Sequence, residues 1–456
     1  MSGLCAAAPG NRRAPVAPGV ISPKRSLGLT KRSFRTRLYP MAATAPTRDV
    51  DILSPELYHD PWSTYRWLRD EAPLYRDERN DLWVVSRHAD VFEVSRRSDL
   101  WSAAQGVRPK VAADMSLIAL DDPEHTRQRR LINRGFTPRR VRELAPHIRE
   151  LADQIIDEVQ DRGEIDFVEE FAAHVPLIII AEMMGLDPET RDRMYRWSDA
   201  MMAGDGHEGD APELHNAAVA FGEFAEMCME LIPERRKAAT DDIIGILTHA
   251  FDEGGLEKEL KSGDREMYGD GALQDDELLM FLTLLLVAGN ETTRNAISGG
   301  LIALSRFPDQ RQRLLDDPEL IDLAVDEIIR WTTPVMSFMR TATVAHAMHG
   351  RQIKVGDRIL MLYQSANRDD RAFERPDDFV VDRSPNNHLA FGAGTHFCLG
   401  ANLARLEVKI VFQQLLSRLS DIRAVEPHKV HRSRSTLVVG IEHLPAIFTP
   451  VTHPVA

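Results

Sequence analysis

The sequence predicts a mainly α-helical fold with a small β-sheet region. Helical apolar spacing dominates from about Asp60 to Trp331. Thr/Val alternation with glycine punctuation is concentrated after Pro334, the texture of short strands. A glycine-rich loop, Phe391–Gly400, then leads into a last helical stretch ending near Leu419.

At 456 residues the chain can bury a large core, and 43% hydrophobic with 28% charged residues is an ordinary globular balance. The net charge of −14 argues against general nucleic-acid binding, which draws on excess Lys and Arg. The charge is uneven. Arg12, Arg13, Lys24, Arg25, Lys31, Arg32, Arg35 and Arg37 crowd the start without a single acid among them. Residues 1–48 therefore read as a disordered basic segment, superficially like a transit peptide. Met41 offers a second reading, an over-called start. Residues 49–456 read as a single domain, because no linker divides them. The longest apolar run, Leu278–Ala288, is shorter than the roughly 20 residues a membrane span takes. With no apolar signal sequence and too few cysteines for a disulfide framework, a cytoplasmic location is expected.

In order along the chain, Pro61 opens a helix through Leu68, with Trp62, Tyr65 and Leu68 on one face. Strand-like pieces follow at Leu74–Tyr75 and Leu82–Val85, then helical stretches near Val91–Ser95, Pro123–Gly135, Arg139–Gln160 and Leu177–Met184. Met202–Asn216 and Gly254–Asp276, polar and glycine-punctuated, read as loops. A long helix spans about Asp275 to Arg306. It opens on three acids, favourable at the positive end of a helix dipole, and stops before Pro308. Another helix covers Asp326–Trp331. Strands follow around Arg358–Tyr363, and then an aperiodic stretch, Arg375–Asn387.

Cys398 lies at the end of the glycine-rich loop, just before a helix. A helix N-terminus lowers a thiol pKa, and glycines let backbone N–H groups and a flat cofactor approach the sulfur. A soft thiolate suits iron. A lone cysteine in a turn is usually structural, so the context decides. Zinc is disfavoured, since Cys5 and Cys228 are isolated. In Ala288–Thr293, mid-way along the long helix, an acid and an alcohol follow an apolar run. Ala288 and Thr292 are four apart and share a face; the bland alternative is a kink with a back-bonded threonine. Glu327 and Arg330, at i and i+3, are by themselves an ordinary surface pair.

Taken together, these segments resemble the cytochrome P-450 family. Phe391–Gly400 is similar to its haem-binding loop at every defining position, Ala288–Thr293 to its oxygen-activation motif, and Glu327 with Arg330 and the later Arg383 to its buried ion-pair network. Glu291 stands where aspartate is commoner. The likeness runs from about Asp49 to Pro450 with the motifs in family order. It implies the P-450 fold, haem b as cofactor and Cys398 as the axial ligand of the iron. Phe391, Gly392, Gly400, Ala288 and Gly289 would border the haem; Ala288 and Gly289 would leave room for oxygen. His125, Arg129, Arg340 and His396 match propionate-binding positions, where cations pair with carboxylates. Thr292 would hydrogen-bond the activated oxygen and Glu291 would relay protons. Glu327, Arg330 and Arg383 are structural in this scheme.

The resemblance implies a monooxygenase inserting one atom of O2 into a C–H bond of a small hydrophobic substrate. Electrons would come from NAD(P)H through a separate ferredoxin and ferredoxin reductase, docking on Arg127, Arg130, Arg134 and Lys409. Several segments look similar to actinobacterial enzymes that hydroxylate sterol side chains or methyl-branched lipids; terpenoids and polyketides stay open as substrates. Val335, Met336, Phe338, Val438, Val439 and Gly440, with the Val107–Met115 loop, are the expected pocket. A peroxygenase is the nearest rival, but such relatives lack the acid–alcohol pair kept here. A non-enzymatic haem-thiolate sensor or carrier would leave that pair idle.

Overall fold

A computed structural model of the chain describes residues 48–111, 116–238, 240–249 and 273–451. The basic N-terminal segment lies outside these, as do most of Gly254–Asp276 and the end of the Val107–Met115 loop.

The helix Asp275–Arg306 organises the rest. Its 32 residues span about 48 Å at 1.5 Å per residue. Asp275, Asp276 and Glu277 fill its first turn, and Gln274 and Glu277 close a reciprocal capping box. Its second half is buried almost all round, because helices His174–Met183, Ile321–Thr332 and Ala401–Arg418 pack on it. Gly299 and Gly300 permit the approach: a Cβ on Gly300 would sit 2.5 Å from the Phe412 ring, and one on Gly299 2.3 Å from Thr332 Oγ1.

Beside this helical body lies a five-stranded sheet. Its spatial order is Leu74–Asp77, Leu82–Val85, Arg358–Leu362, Ser337–Ala342 and Trp101–Ser102. Only the pairing of Leu82–Val85 with Arg358–Leu362 is parallel. A three-stranded sheet joins Glu164–Asp166, Pro445–Ile447 and Arg423–Ala424, and two short hairpins complete the β content. The mainly helical expectation with a small sheet holds.

Three expectations need correction. The helix expected over Arg139–Gln160 is two, Pro138–Glu143 and Ala145–Val159, because Pro146 cannot continue the first. The loop expected over Met202–Asn216 is confined to residues 204–211. Helix Pro188–Ala203 precedes it, N-capped by Asp187 accepting from the Thr190 N–H, and helix Pro212–Lys237 follows. Both helices carry many polar residues, which hid their apolar stripes. Finally, Asp275 and Asp276 belong to the long helix and not to the preceding loop. Among the described residues, no single helix is long and apolar enough to cross a membrane.

Candidate active site

The loop before helix Ala401–Arg418 is shaped by backbone bonds. The Cys398 N–H donates to the Phe391 carbonyl at 2.9 Å, and the Gly392 N–H to the Leu389 carbonyl at 2.9 Å. Gly392 and Gly394 have φ of +68° and +73°, in the left-handed region; a Cβ on Gly394 would meet the Ser95 carbonyl at 2.8 Å. The fold therefore dictates glycine at 394 sterically as well as conformationally. Cys398 is reached from an internal cavity and enclosed by protein elsewhere. Burial pushes its thiol pKa up, while the Gly400 N–H and the guanidiniums of Arg129 and Arg405 pull it down. Ionising the sulfur against that burial calls for a cation bound to it.

The cavity measures about 480 Å³. Its walls include Phe391, Gly392, His396, Cys398 and Gly400 from the loop, and Ala288, Gly289, Glu291 and Thr292 from the long helix. His125, Arg129 and Arg340 also face it. The His125 and His396 rings lie 4.4 Å apart. Both ring nitrogens of buried His125 lack a hydrogen-bond partner. Buried Arg340 donates only to the Met339 carbonyl and Arg129 to the Phe397 carbonyl; among the described residues neither has a carboxylate partner. Burial first, then these guanidiniums, pushes both histidines down toward neutrality, His396 furthest. Unpartnered imidazoles and buried guanidiniums together leave an excess of donors and positive charge. A flat group carrying carboxylates, with a metal facing the thiol, fits this donor set.

Thr292 donates its hydroxyl to the Ala288 carbonyl at 2.8 Å, which leaves its oxygen lone pairs free to accept. Glu291 is buried and paired with Arg294, and it accepts from Asn295 Nδ2 at 2.7 Å. Arg294 also reaches the half-exposed Asp199 at 3.5 Å, so charged groups run from the cavity toward the surface. Gly289 lines the cavity and has a packing role besides. A Cβ there would lie 2.7 Å from Ile180 Cδ1, so its smallness admits helix His174–Met183. Ala288 lines the cavity as well.

Sequence reasoning missed Glu407. It is buried, lines the same cavity beside Thr293 and leaves Oε1 without a hydrogen-bond partner among the described residues. Burial pushes its carboxyl up to about 8, partly opposed by that threonine. The signal was present: Glu407 sits between buried Leu403 and Val411 at i, i+4 spacing, an acid on a core stripe.

Glu327, Arg330 and Arg383 meet out of solvent. Arg330 donates Nε and Nη2 to the Glu327 carboxylate at 2.7 and 2.8 Å, and Arg383 Nε donates to it at 2.9 Å. Of the expected pocket residues, Val335, Phe338 and Val438 line the cavity, as do Val107 and Arg108. Met336 and Val439 do not, and Gly440 is likewise absent from the wall. Val335 bridges Val438 on the cavity side, whereas Met336 and Val439 join the hydrophobic core. The expected docking patch also changes. The Arg127 side chain is 8% exposed and paired with Glu124 and Glu277, and Lys409 is bonded to Asp322 at 2.6 Å.

A cytochrome P450 family model matches residues 212–439. The chain is 38% identical to a steroid C26-monooxygenase of Mycobacterium tuberculosis over 405 residues, 88% of this chain and 98% of that protein. It is 38% identical to one of Rhodococcus jostii over 415 residues, 86% and 83% of the two chains. Among solved structures, a Mycobacterium marinum cytochrome P450 in complex with pseudoionone superposes with a TM-score of 0.78 at 32% identity, covering 89% of this chain and 100% of that one. A Bacillus megaterium cytochrome P450 in complex with testosterone gives 0.76 at 31%, covering 87% and 99%. This chain belongs to the cytochrome P450 family. It is a haem-thiolate monooxygenase with haem b as its cofactor, and the family draws its electrons from redox partners. The haem, when bound, supplies the reductive activation of O2 for insertion into a C–H bond.

Glu407 yields a testable pH dependence. In the folded chain its carboxyl stays protonated up to about pH 8, against 4.5 for the ordinary group. The folded state thus holds an extra proton between those values. Stability from this group is complete below about pH 4.5 and is lost as pH rises toward 8. Glu407→Gln removes that loss. Urea unfolding from about pH 5 to pH 8.5 should give the variant a flatter stability profile than the parent. Parallel profiles would show that Glu407 ionises normally.

Proposed function

We propose that this monooxygenase hydroxylates a terminal methyl group on the side chain of a sterol or a related methyl-branched lipid. The observation that carries the reading is a largely apolar cavity ending on a lone thiol, in a chain similar to steroid C26-monooxygenases over most of both lengths. An apolar cavity takes such a substrate by burial and orients it by few polar contacts. A terpenoid is the second reading, favoured by the similarity to the pseudoionone complex.

In this scheme the Cys398 thiolate would hold the haem iron. Arg129, Arg340, His125 and His396 pair with the cofactor carboxylates, which supplies the anions their cluster lacks. Ala288 and Thr292 face the side where oxygen and substrate meet. Thr292 accepts a hydrogen bond there and so holds a proton donor beside the reacting oxygen. Glu291 moves protons inward by exchanging its Arg294 contact for water, with Asp199 as the outer station. A separate ferredoxin and its reductase deliver the electrons, in the cytoplasm. Arg130 and Arg134 remain in the docking surface, and buried Arg127 is removed from it.

Three measurements test the scheme. Reduced Cys398→Ala protein should lose the carbon monoxide band of a haem thiolate; a surviving band would assign the ligand elsewhere. Thr292→Ala should keep substrate binding while product formed per NADH consumed falls about tenfold; unchanged coupling refutes its role. Titrating the parent with cholest-4-en-3-one should give a saturable low-to-high-spin Soret shift, and turnover should give a side-chain alcohol. Ring hydroxylation, or no shift at all, would exclude the sterol side chain as the target.

A further inference from the structure

Among the described residues, eight ionisable side chains besides the Tyr363 phenol face the cavity, and seven of them are accounted for. Cys398 is the thiol, and four cationic or imidazole groups form the cluster around His125. Glu291 is paired with Arg294, and Glu407 is held neutral by burial. Arg108 remains. Among the described residues its one ionic partner is Asp205, at 3.7 Å, beyond hydrogen-bond range. A guanidinium carries five N–H donors, so this contact balances its charge without using its donors.

The backbone beside Arg108 and the side chain of Asp205 are both held in place. The Val107 carbonyl, next to Arg108, accepts from the Met339 N–H at 2.7 Å, tying it to the strand that bears Arg340. Asp205 lies in the turn between helices Pro188–Ala203 and Pro212–Lys237, and its side chain is 6% exposed. Asp205 Oδ2 accepts from Ser435 Oγ at 2.6 Å and from the Thr436 N–H at 3.2 Å, which leaves Oδ1 toward Arg108. Gly206 secures the turn: its φ is +78°, and a Cβ would meet the Arg434 carbonyl at 2.3 Å. The wall nearby is apolar, with Met202, Phe221, Leu437 and Val438. Arg108 is therefore a part-exposed donor beside an apolar wall, its backbone held next to the strand and its guanidinium facing Asp205, apart from the cluster that pairs with the cofactor.

We propose that Arg108 sets substrate specificity by donating to a neutral carbonyl oxygen at the end of the substrate away from the oxidised carbon. For a sterol this is a ring ketone, so the inference rests on the sterol reading. Charge decides between acceptors. Arg108 and Asp205 sum to zero, and a ketone accepts from the free N–H groups without adding charge. A carboxylate would leave one excess anion beside Asp205 in a poorly solvated region. A hydrocarbon end would leave the donors unpaired against apolar surface.

The test is a Soret titration of the haem-loaded protein with cholest-4-en-3-one and with cholest-4-ene, which lacks only the oxygen. The parent should bind the ketone about tenfold tighter, the discrimination expected of a charged donor. In Arg108→Leu that ratio should fall to about twofold or less. Arg108→Met, which keeps the apolar stem, carries the same comparison if the leucine variant loses its haem. Equal affinity of the parent for the two sterols overturns the inference and leaves the sterol reading standing. A preference that survives both substitutions overturns it as well. No response of the parent to either sterol overturns the inference and the substrate reading together.

Discussion

The Glu327 carboxylate has no access to solvent, and the lower wall of the cavity depends on how its charge is met. Two guanidiniums and the Val380 N–H satisfy it. Arg330 spends its remaining donors on the carbonyls of Asn367, Pro376 and Asp378, and Arg383 on those of Glu374, Arg375 and Asp378. A stretch without periodicity thus acquires a fixed path from one buried charge. Asn367 carries the order onward: its Oδ1 accepts from the Leu389 N–H at 2.7 Å, and its Nδ2 donates to Thr333 Oγ1 at 2.8 Å. Leu389 in turn accepts from Gly392, at the head of the cysteine loop. A buried pair with every donor and acceptor used holds one geometry. With one partner missing it would leave an unpaired charge costing roughly 3–5 kcal/mol.

What the sequence made legible follows from how local each signal is. The long helix announced itself through its acids, its apolar run and Pro308, all within one segment. The cysteine loop was legible because its glycines, aromatic and thiol are contiguous. Helices Pro188–Ala203 and Pro212–Lys237 were not, since their apolar faces are diluted by charges that face water. Arg127 was misjudged for a related reason: a basic residue reads as exposed until Glu277, far along the chain, is known to meet it. Met336 and Val439 were misjudged because burial and cavity lining look alike in sequence, and only the packing against the core separates them. The close approach of Ile180 to Gly289 was not legible, since the two lie on helices far apart in sequence.

The cavity contains several charges in little volume, and it accommodates each by a different device. Glu291 is neutralised by a neighbour one turn away, Glu407 by its own proton, and Arg108 by an acid from another loop. Among the described residues the donors around His125 and Arg340 have no hydrogen-bonded acid, the nearest being Asp122 at 3.8 Å from His125 Nδ1. Unpaired buried charge is costly, so these last groups are where the fold is incomplete without an anionic ligand. Binding that ligand stabilises the folded chain by mass action, since the unfolded chain holds no such cluster.

Consecutive residues Thr292 and Thr293 show how one helix serves both sides of the site. A step of one residue turns the side chain by about 100°, so the two hydroxyls cannot face the same surroundings. Thr292 back-bonds to Ala288 and offers its oxygen to the cavity. Thr293 is buried and meets Glu407 on helix Ala401–Arg418, the helix that begins two residues after Gly400's neighbour Leu399. The helix that follows Cys398 is thereby packed on the oxygen side, and Phe412 against Gly300 joins the same two helices two turns further along. A shift of either helix would therefore move the thiol and the Thr292 oxygen together, which keeps their spacing constant as the Met- and Phe-lined end of the cavity adapts to substrate.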